Sequence, residues 1–167
     1  MIIVKKTSTN LIMAKKIKNN IDMDKLYSDP LTFRARVQEE LRRAKRYATF
    51  VSMVSLDLSH IDAVSDIDNS RDYDDFMASF KKLLKNSIRE SDLLSISMGR
   101  RVLILLMDTP HEGANALMER LTKTLRYFMA DNIKSPLNWR IPMKEYCFPT
   151  SSKDDFSIQS FIDKIGE

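Results

Sequence analysis

The sequence predicts an α/β (α+β) fold, a central mixed β-sheet with helices packed against it. Three observations carry that expectation. Apolar residues recur at helical spacing in several separate segments. Short apolar, β-branched runs stand between those segments. Two of the runs are adjacent, joined by Met98-Gly99-Arg100-Arg101, and so read as a hairpin. Helices alternating with strands around an antiparallel pair suggest a split βαβ arrangement. The 167 residues suit one ordinary domain with a short extension. With 43% hydrophobic and 30% charged residues the chain can bury a real core, which excludes general disorder.

Residues 1–28 differ from the rest. Lys5, Lys6, Lys15, Lys16 and Lys18 stand among Thr, Ser and Asn, interrupted only by Leu11-Ile12-Met13. This reads as a basic arm, mobile or loosely attached, and a solubilising tail is the favoured account of it. The domain proper is expected over residues 29–167. Asp29-Pro30 has the form of a helix N-cap followed by proline at the first helical position. Phe33, Val37, Leu41 and Ala44 then mark one helix face. Arg34, Arg36, Arg42, Arg43, Lys45 and Arg46 lie between them and are read as a solvated surface. The run from Phe50 to Leu58 is apolar and β-branched, a buried strand ending near Asp57.

An acidic stretch from Asp62 to Asp75 leads into a helix carried by Tyr73, Phe76, Phe80, Leu83, Leu84 and Ile88. Acids at its start and Lys81, Lys82 and Lys85 towards its end agree with the helix dipole. Leu93 to Ser97 and Val102 to Leu106 form the hairpin strands, with Gly99 available for a positive φ in the turn. Ala114, Leu117, Leu121, Leu125 and Phe128 mark the next helix. The segment from Leu137 to Phe148 reads as one or two strands, with Pro142 pushing part of it to an edge. A last short helix is expected around Phe156, Ile158, Phe161, Ile162 and Ile165.

Several functional classes are excluded at this level. Gly99, Gly113 and Gly166 lie too far apart for a glycine-rich phosphate loop. Cys147 is the only cysteine, so there is no internal disulfide or thiolate zinc cluster, and a reducing compartment fits best. No apolar run approaches the length of a membrane span, and Met1 to Lys6 is too short for a signal peptide, so the cytoplasm is the expected location. His60 and His111 lack metal-ligand spacing, and Ser55, Ser59, Ser65 and Ser70 lack a His–Asp partner arrangement. The acidic stretch lacks the glycine and final glutamate of a calcium loop. Trp139 reads as a packing anchor and the methionines as adaptable core.

From Asp29 to Ile165 the sequence resembles the GGDEF domain of diguanylate cyclases. The pieces that carry the resemblance are Asp29-Pro30-Leu31-Thr32, then Leu56-Asp57-Leu58, then Arg89-Glu90-Ser91-Asp92-Leu93-Leu94. They continue through the hairpin Met98 to Val102 and Leu105-Leu106-Met107-Asp108-Thr109-Pro110. The resemblance implies a nucleotidyl-cyclase-like central mixed sheet flanked by helices, with a ferredoxin-like core. It also implies a hairpin bearing the family's name motif, and here that hairpin reads Met98-Gly99-Arg100-Arg101-Val102. Active members carry acids where this chain has Arg100 and Arg101. Joining two GTP molecules needs divalent cations, which take oxygen ligands and are repelled by a permanent guanidinium charge.

Other positions depart as well. Asp57 keeps the first metal-binding position, but Ser59 replaces the carboxylate two residues on, and Ile61-Asp62 and Ser65 replace a Phe-Lys pair and a nucleotide-reading Asn. Asp74 stands where a guanine-binding Asp would. The expectation is therefore a catalytically inactive domain with no catalytic residues and no metal; Mg²⁺ is not expected as a cofactor.

The family's product-binding site is retained in outline. Its Arg-x-x-Asp is present as Arg89 and Asp92, with Met98 six residues beyond, and Arg120 matches a secondary arginine on the following helix. The resemblance implies that arginines grip the phosphates and a guanine edge of cyclic di-GMP while the Asp accepts from the base. The expected function is a cyclic di-GMP receptor that passes its signal to a downstream protein partner. The alternative is a ligand-free interaction or dimerisation module in which the Arg-x-x-Asp pair survives as a surface salt bridge or turn cap. A weak cyclase or GTP-binding protein ranks third. Nucleic-acid binding ranks last, resting only on the arm and the Arg-rich first helix. A homodimer is compatible with the sequence, and no membrane partner is expected.

Overall fold

In the computed structural model, which describes residues 29–59, 70–97, 101–132 and 141–149, the first helix begins at its capping residue. Asp29 keeps an extended backbone, and its carboxylate accepts from the N–H groups of Leu31 (3.2 Å) and Thr32 (3.1 Å). These are two of the donors that a helix N-terminus leaves unpaired. Helix α1 runs Pro30–Tyr47. It stops at Ala48, whose left-handed backbone (φ 52°) lets its own N–H and that of Thr49 reach the Ala44 carbonyl.

Strand β1 (Val51–Asp57), helix α2 (Ser70–Ser87), strands β2 (Leu93–Ser97) and β3 (Arg101–Met107), helix α3 (His111–Asn132) and strand β4 (Met143–Phe148) follow. The strands lie in the order β2-β3-β1-β4. Every described pairing is antiparallel, where the sequence suggested a mixed sheet. The reason is topological. β1 and β2 do run parallel, as a helical crossover requires, but β3 lies between them; β3 and β4 are separated by β1 in the same way. This is the interleaved, ferredoxin-like form of the split βαβ arrangement.

The period-two alternation of the strands divides the core between the two faces of the sheet. Val54 and Leu56 of β1 with Val102, Ile104 and Leu106 of β3 meet α2 and α3, through Phe80, Leu84, Leu117, Leu121 and Met129. Met53, Leu103 and Leu105 point the other way, onto Phe33, Val37 and Leu41 of α1. Each such fully buried side chain contributes about 1.5–3 kcal/mol relative to exposure. Two residues differ from the expected faces. Leu83 is only partly buried, Leu84 taking the inward position, and Met129 rather than Phe128 completes the α3 stripe. Phe128 instead leans on Phe76 and Phe80, with ring centroids 5.4 and 5.9 Å away.

Pro142 directly precedes β4, which forms one edge of the sheet as its proline suggested, and the Pro142 carbonyl accepts from the Asp57 N–H (2.9 Å). Residues 1–28, the hairpin turn at 98–100, His60, Trp139 and the final helix expected around Phe156 to Ile165 lie outside the described residues. No described helix is long and apolar enough to cross a membrane.

Candidate functional site

The seven residues of β3 separate two polar regions by about 20 Å. At the Met107 end, the chain leaves α2, turns through Arg89 to Asp92 and enters β2. Asp92 builds that turn. Its N–H donates to the Arg89 carbonyl (3.1 Å), and its Oδ2 accepts from the Arg89 N–H (3.0 Å). Its Oδ1 accepts from the N–H of Met107 at the end of β3 (3.2 Å). The residue is only 4% exposed. An ionised carboxylate has about four acceptor positions, and two of these are filled by backbone donors. Asp92 thus caps the turn and ties it to the end of β3, the use weighed as the alternative to ligand binding.

The neighbouring turn from β3 into α3 is tied down as firmly. Ser52 Oγ, buried on β1, donates to the Thr109 carbonyl (2.7 Å), and Thr109 Oγ1 donates to the Met107 carbonyl (2.7 Å). Asp108 between them holds φ at 45°, a left-handed conformation that Asp tolerates better than most residues. Gly113 in the first turn of α3 has no Cβ for a steric reason, since one placed there would lie 2.8 Å from Thr109 Cγ2.

The two arginines stand over this frame. Arg89 leaves the turn with an exposed side chain. Arg120, on the exposed side of α3, donates from Nη2 to the carbonyl of Ser87 (2.6 Å) at the end of α2, where a helix leaves carbonyls without partners. Arg89, Asp92 and Arg120 line one open cleft of about 590 Å³, with Leu106, Ala116 and Leu117 among its apolar walls. All three residues singled out in the sequence are thereby brought together, and the volume lies within the usual small-molecule range of about 300–1,000 Å³.

At the other end of β3, Arg101 is half-buried and sits directly across from Asp57 in the β1–β3 register. Asp57 Oδ1 accepts from the N–H (2.9 Å) and the hydroxyl of Ser59 in its own turn. Met98, Gly99, Arg100, Asp62 and Ser65 lie outside the described residues, and Asp74 is exposed on α2. No cluster of three or more His, Cys, Asp or Glu that could hold a metal occurs among the described residues.

Sequence reasoning missed several groups. Ser52 and Gly113 carry no motif and Thr109 figured only as part of the family's pattern; the role of Ser52 shows only through its contact with Thr109, 57 residues away. Glu40, 5% exposed on α1, is held by Arg36 (2.8 Å) and Arg43 (3.7 Å). Its i, i+3 and i−4 arginines were the available signal. His111 at the start of α3 meets Glu145 of β4 through Nδ1 (2.5 Å), a pairing across 34 residues with no local trace.

The profile of the diguanylate cyclase GGDEF domain matches residues 28–153. No curated protein sequence matches. Among solved structures, the chain is similar to the diguanylate cyclase SiaD of Pseudomonas aeruginosa, solved with its activator SiaC. That likeness has TM-score 0.61 and 17% identity, and it covers 96% of this chain but 62% of SiaD. It is also similar to the GGDEF domain of TpbB (YfiN) from Pseudomonas aeruginosa, with TM-score 0.57, 20% identity and coverage of 76% and 74%. A third similar structure is the coiled coil and GGDEF domain of DgcB from Caulobacter crescentus in complex with c-di-GMP. There the TM-score is 0.53 at 10% identity, with 84% of this chain and 78% of that chain covered. At these identities the structures establish the shared fold, and the profile, spanning three quarters of the sequence, establishes the family: the chain belongs to the GGDEF diguanylate cyclase domain family.

Proposed function

We propose that this GGDEF domain is a catalytically inactive receptor for cyclic di-GMP, which binds in the cleft of Arg89, Asp92 and Arg120 and signals to a protein partner. The observation that carries the reading is the convergence of two exposed guanidinium groups on one cleft whose floor is a buried carboxylate. Arg89 supplies the fork to a phosphate. Arg120 reaches the same space once it exchanges the Ser87 carbonyl for a phosphate oxygen, a stronger acceptor because it is charged. The free lone pairs of Asp92 face a guanine N–H pair, and Leu106 and Leu117 give the base an apolar wall. The fold's association with this ligand supports the choice, since DgcB was solved with it; SiaD, solved with an activator protein, supports the idea of a protein partner.

Loss of catalysis follows from the hairpin end. The sequence there is Met98-Gly99-Arg100-Arg101-Val102, and Arg101 places a permanent positive charge opposite the remaining carboxylate, Asp57. Phosphoryl chemistry there would proceed without the metal that stabilises its charge. Incubation with GTP and Mg²⁺ or Mn²⁺ is expected to give no cyclic di-GMP above a heat-inactivated control. Calorimetric titration is expected to show cyclic di-GMP binding at or below about 100 μM, roughly −5.5 kcal/mol, and weaker binding of cyclic di-AMP. Product formation would overturn the inactivity, and absence of binding would overturn the receptor.

A second reading is favoured by one observation. Both oxygens of Asp92 already serve backbone donors, so the Arg-x-x-Asp segment has a structural use without any ligand. On that reading the domain is an interaction or dimerisation module that kept the fold, and titration separates the two.

A further inference from the structure

The cations of α1 do not share one fate. Arg36 pairs with Glu39 (2.9 Å) and Glu40 (2.8 Å), and Arg43 reaches Glu40 at 3.7 Å. Arg42, Lys45 and Arg46 are exposed and meet no acid among the described residues. Their spacing of three and four places them in one patch on the side of α1 away from the sheet. The helix C-terminus attracts cations, but its partial charge is about half an elementary unit, which a single lysine or arginine matches. Three cations exceed that need.

Two aromatic rings stand at the same end of the helix with much of their surface in water: Tyr47 is 62% exposed and Phe50 43%. The charge is also unevenly distributed along the chain. Residues 1–47 hold twelve Lys and Arg against five Asp and Glu, while the remainder holds fifteen against eighteen. Arginine-rich cations beside bare aromatic rings match the chemistry of a single nucleic-acid strand, whose phosphates take guanidinium forks and whose bases stack on rings.

We infer that the C-terminal end of α1, through Arg42, Lys45, Arg46, Tyr47 and Phe50, binds single-stranded nucleic acid. This surface lies on the opposite face of the sheet from the cleft of Arg89 and Arg120, so it stands or falls independently of cyclic di-GMP binding.

The test is fluorescence anisotropy of the full chain with a labelled oligo-deoxythymidine of about 16 nucleotides. Three phosphate contacts predict a log–log salt slope of about −2, or about 20-fold weaker binding between about 50 and about 200 mM salt. Arg42→Gln, Lys45→Gln and Arg46→Gln together remove most of that slope. Tyr47→Ala weakens binding about ten-fold and leaves the slope unchanged, while Tyr47→Phe restores it. Lys81→Ala with Lys82→Ala, on α2 across the sheet, has no effect, and circular dichroism shows wild-type helix content in every variant. Absence of binding at about 50 mM salt overturns the inference. So does an equal loss from the α2 pair, which would mark binding by net charge alone. Tighter binding of poly-glutamate that ignores Tyr47→Ala also overturns it, and assigns the surface to an acidic protein.

Discussion

The two ends of β3 hold similar residue types to opposite effect. At the Met107 end, a buried aspartate and a buried serine each bond to backbone from another turn or strand, so three chain segments are fixed together. At the Arg101 end, Asp57 bonds to Ser59 two residues away, within a single turn. The first arrangement is long-range and desolvated, and losing a member leaves a buried donor or acceptor without a partner. The second is local and partly solvated, and water replaces what is lost. Asp92 is therefore held by the fold at one end of the strand, whereas the Asp57–Ser59 bonds at the other end stay within one turn. The Asp92 side chain serves that turn, while Arg89 enters it through its backbone N–H and carbonyl, although the two belong to one motif.

Substitutions rank this contrast. Asp92→Ala strips two backbone N–H groups of a charged acceptor and should cost about 3–6 kcal/mol, since bonds to charged groups contribute about 1.5–3 kcal/mol each. Chemical denaturation would measure it, and a cost near that of a surface change would remove the structural role of Asp92. Ser52→Ala leaves the Thr109 carbonyl buried without a donor, with an expected loss of about 1–3 kcal/mol in the same measurement. Gly113→Ala gains about 1 kcal/mol of helix propensity but drives a methyl group into Thr109, a stiff β-branched side chain, at about 1–3 kcal/mol. A net destabilisation of about 1 kcal/mol follows, and a rise in melting temperature would show that Thr109 is not held as described. At the other end, Ser59→Ala removes one half-exposed hydroxyl and should change stability by less than about 1 kcal/mol. If Ser59→Ala proves as costly as Asp92→Ala, the two ends do not differ in the way the hydrogen bonds indicate.

Much of the fold was legible because it is written in local periodicity. The spacing of Phe33, Val37, Leu41 and Ala44 and the cap at Asp29 specify α1 without reference to other segments. The antiparallel nature of every described pairing was not legible, because it depends on β3 inserting between β1 and β2, which no single segment encodes. Leu83 and Leu84 show a finer limit: adjacent leucines fit the same helical pattern, and only packing against the sheet decides which turns inward. At the site, the family's pattern named Arg89, Asp92 and Arg120 together, and all three line one cleft. A turn cap was the alternative weighed for the Arg-x-x-Asp pair; the tie from Asp92 to Met107 was not legible, because that partner is fifteen residues away and contributes only a backbone N–H.

The measurement that bears most directly on the account is a calorimetric titration of cyclic di-GMP into the wild type, Arg89→Ala and Arg101→Ala, one arginine from each end of β3. Wild type should bind at or below about 100 μM. Arg89→Ala should weaken binding by about ten-fold to a hundred-fold, the loss of a charge-assisted phosphate fork, and Arg101→Ala should leave it unchanged. Absence of heat with the wild type, or an equal loss from Arg101→Ala, would contradict the assignment of the ligand to the Met107 end of the sheet.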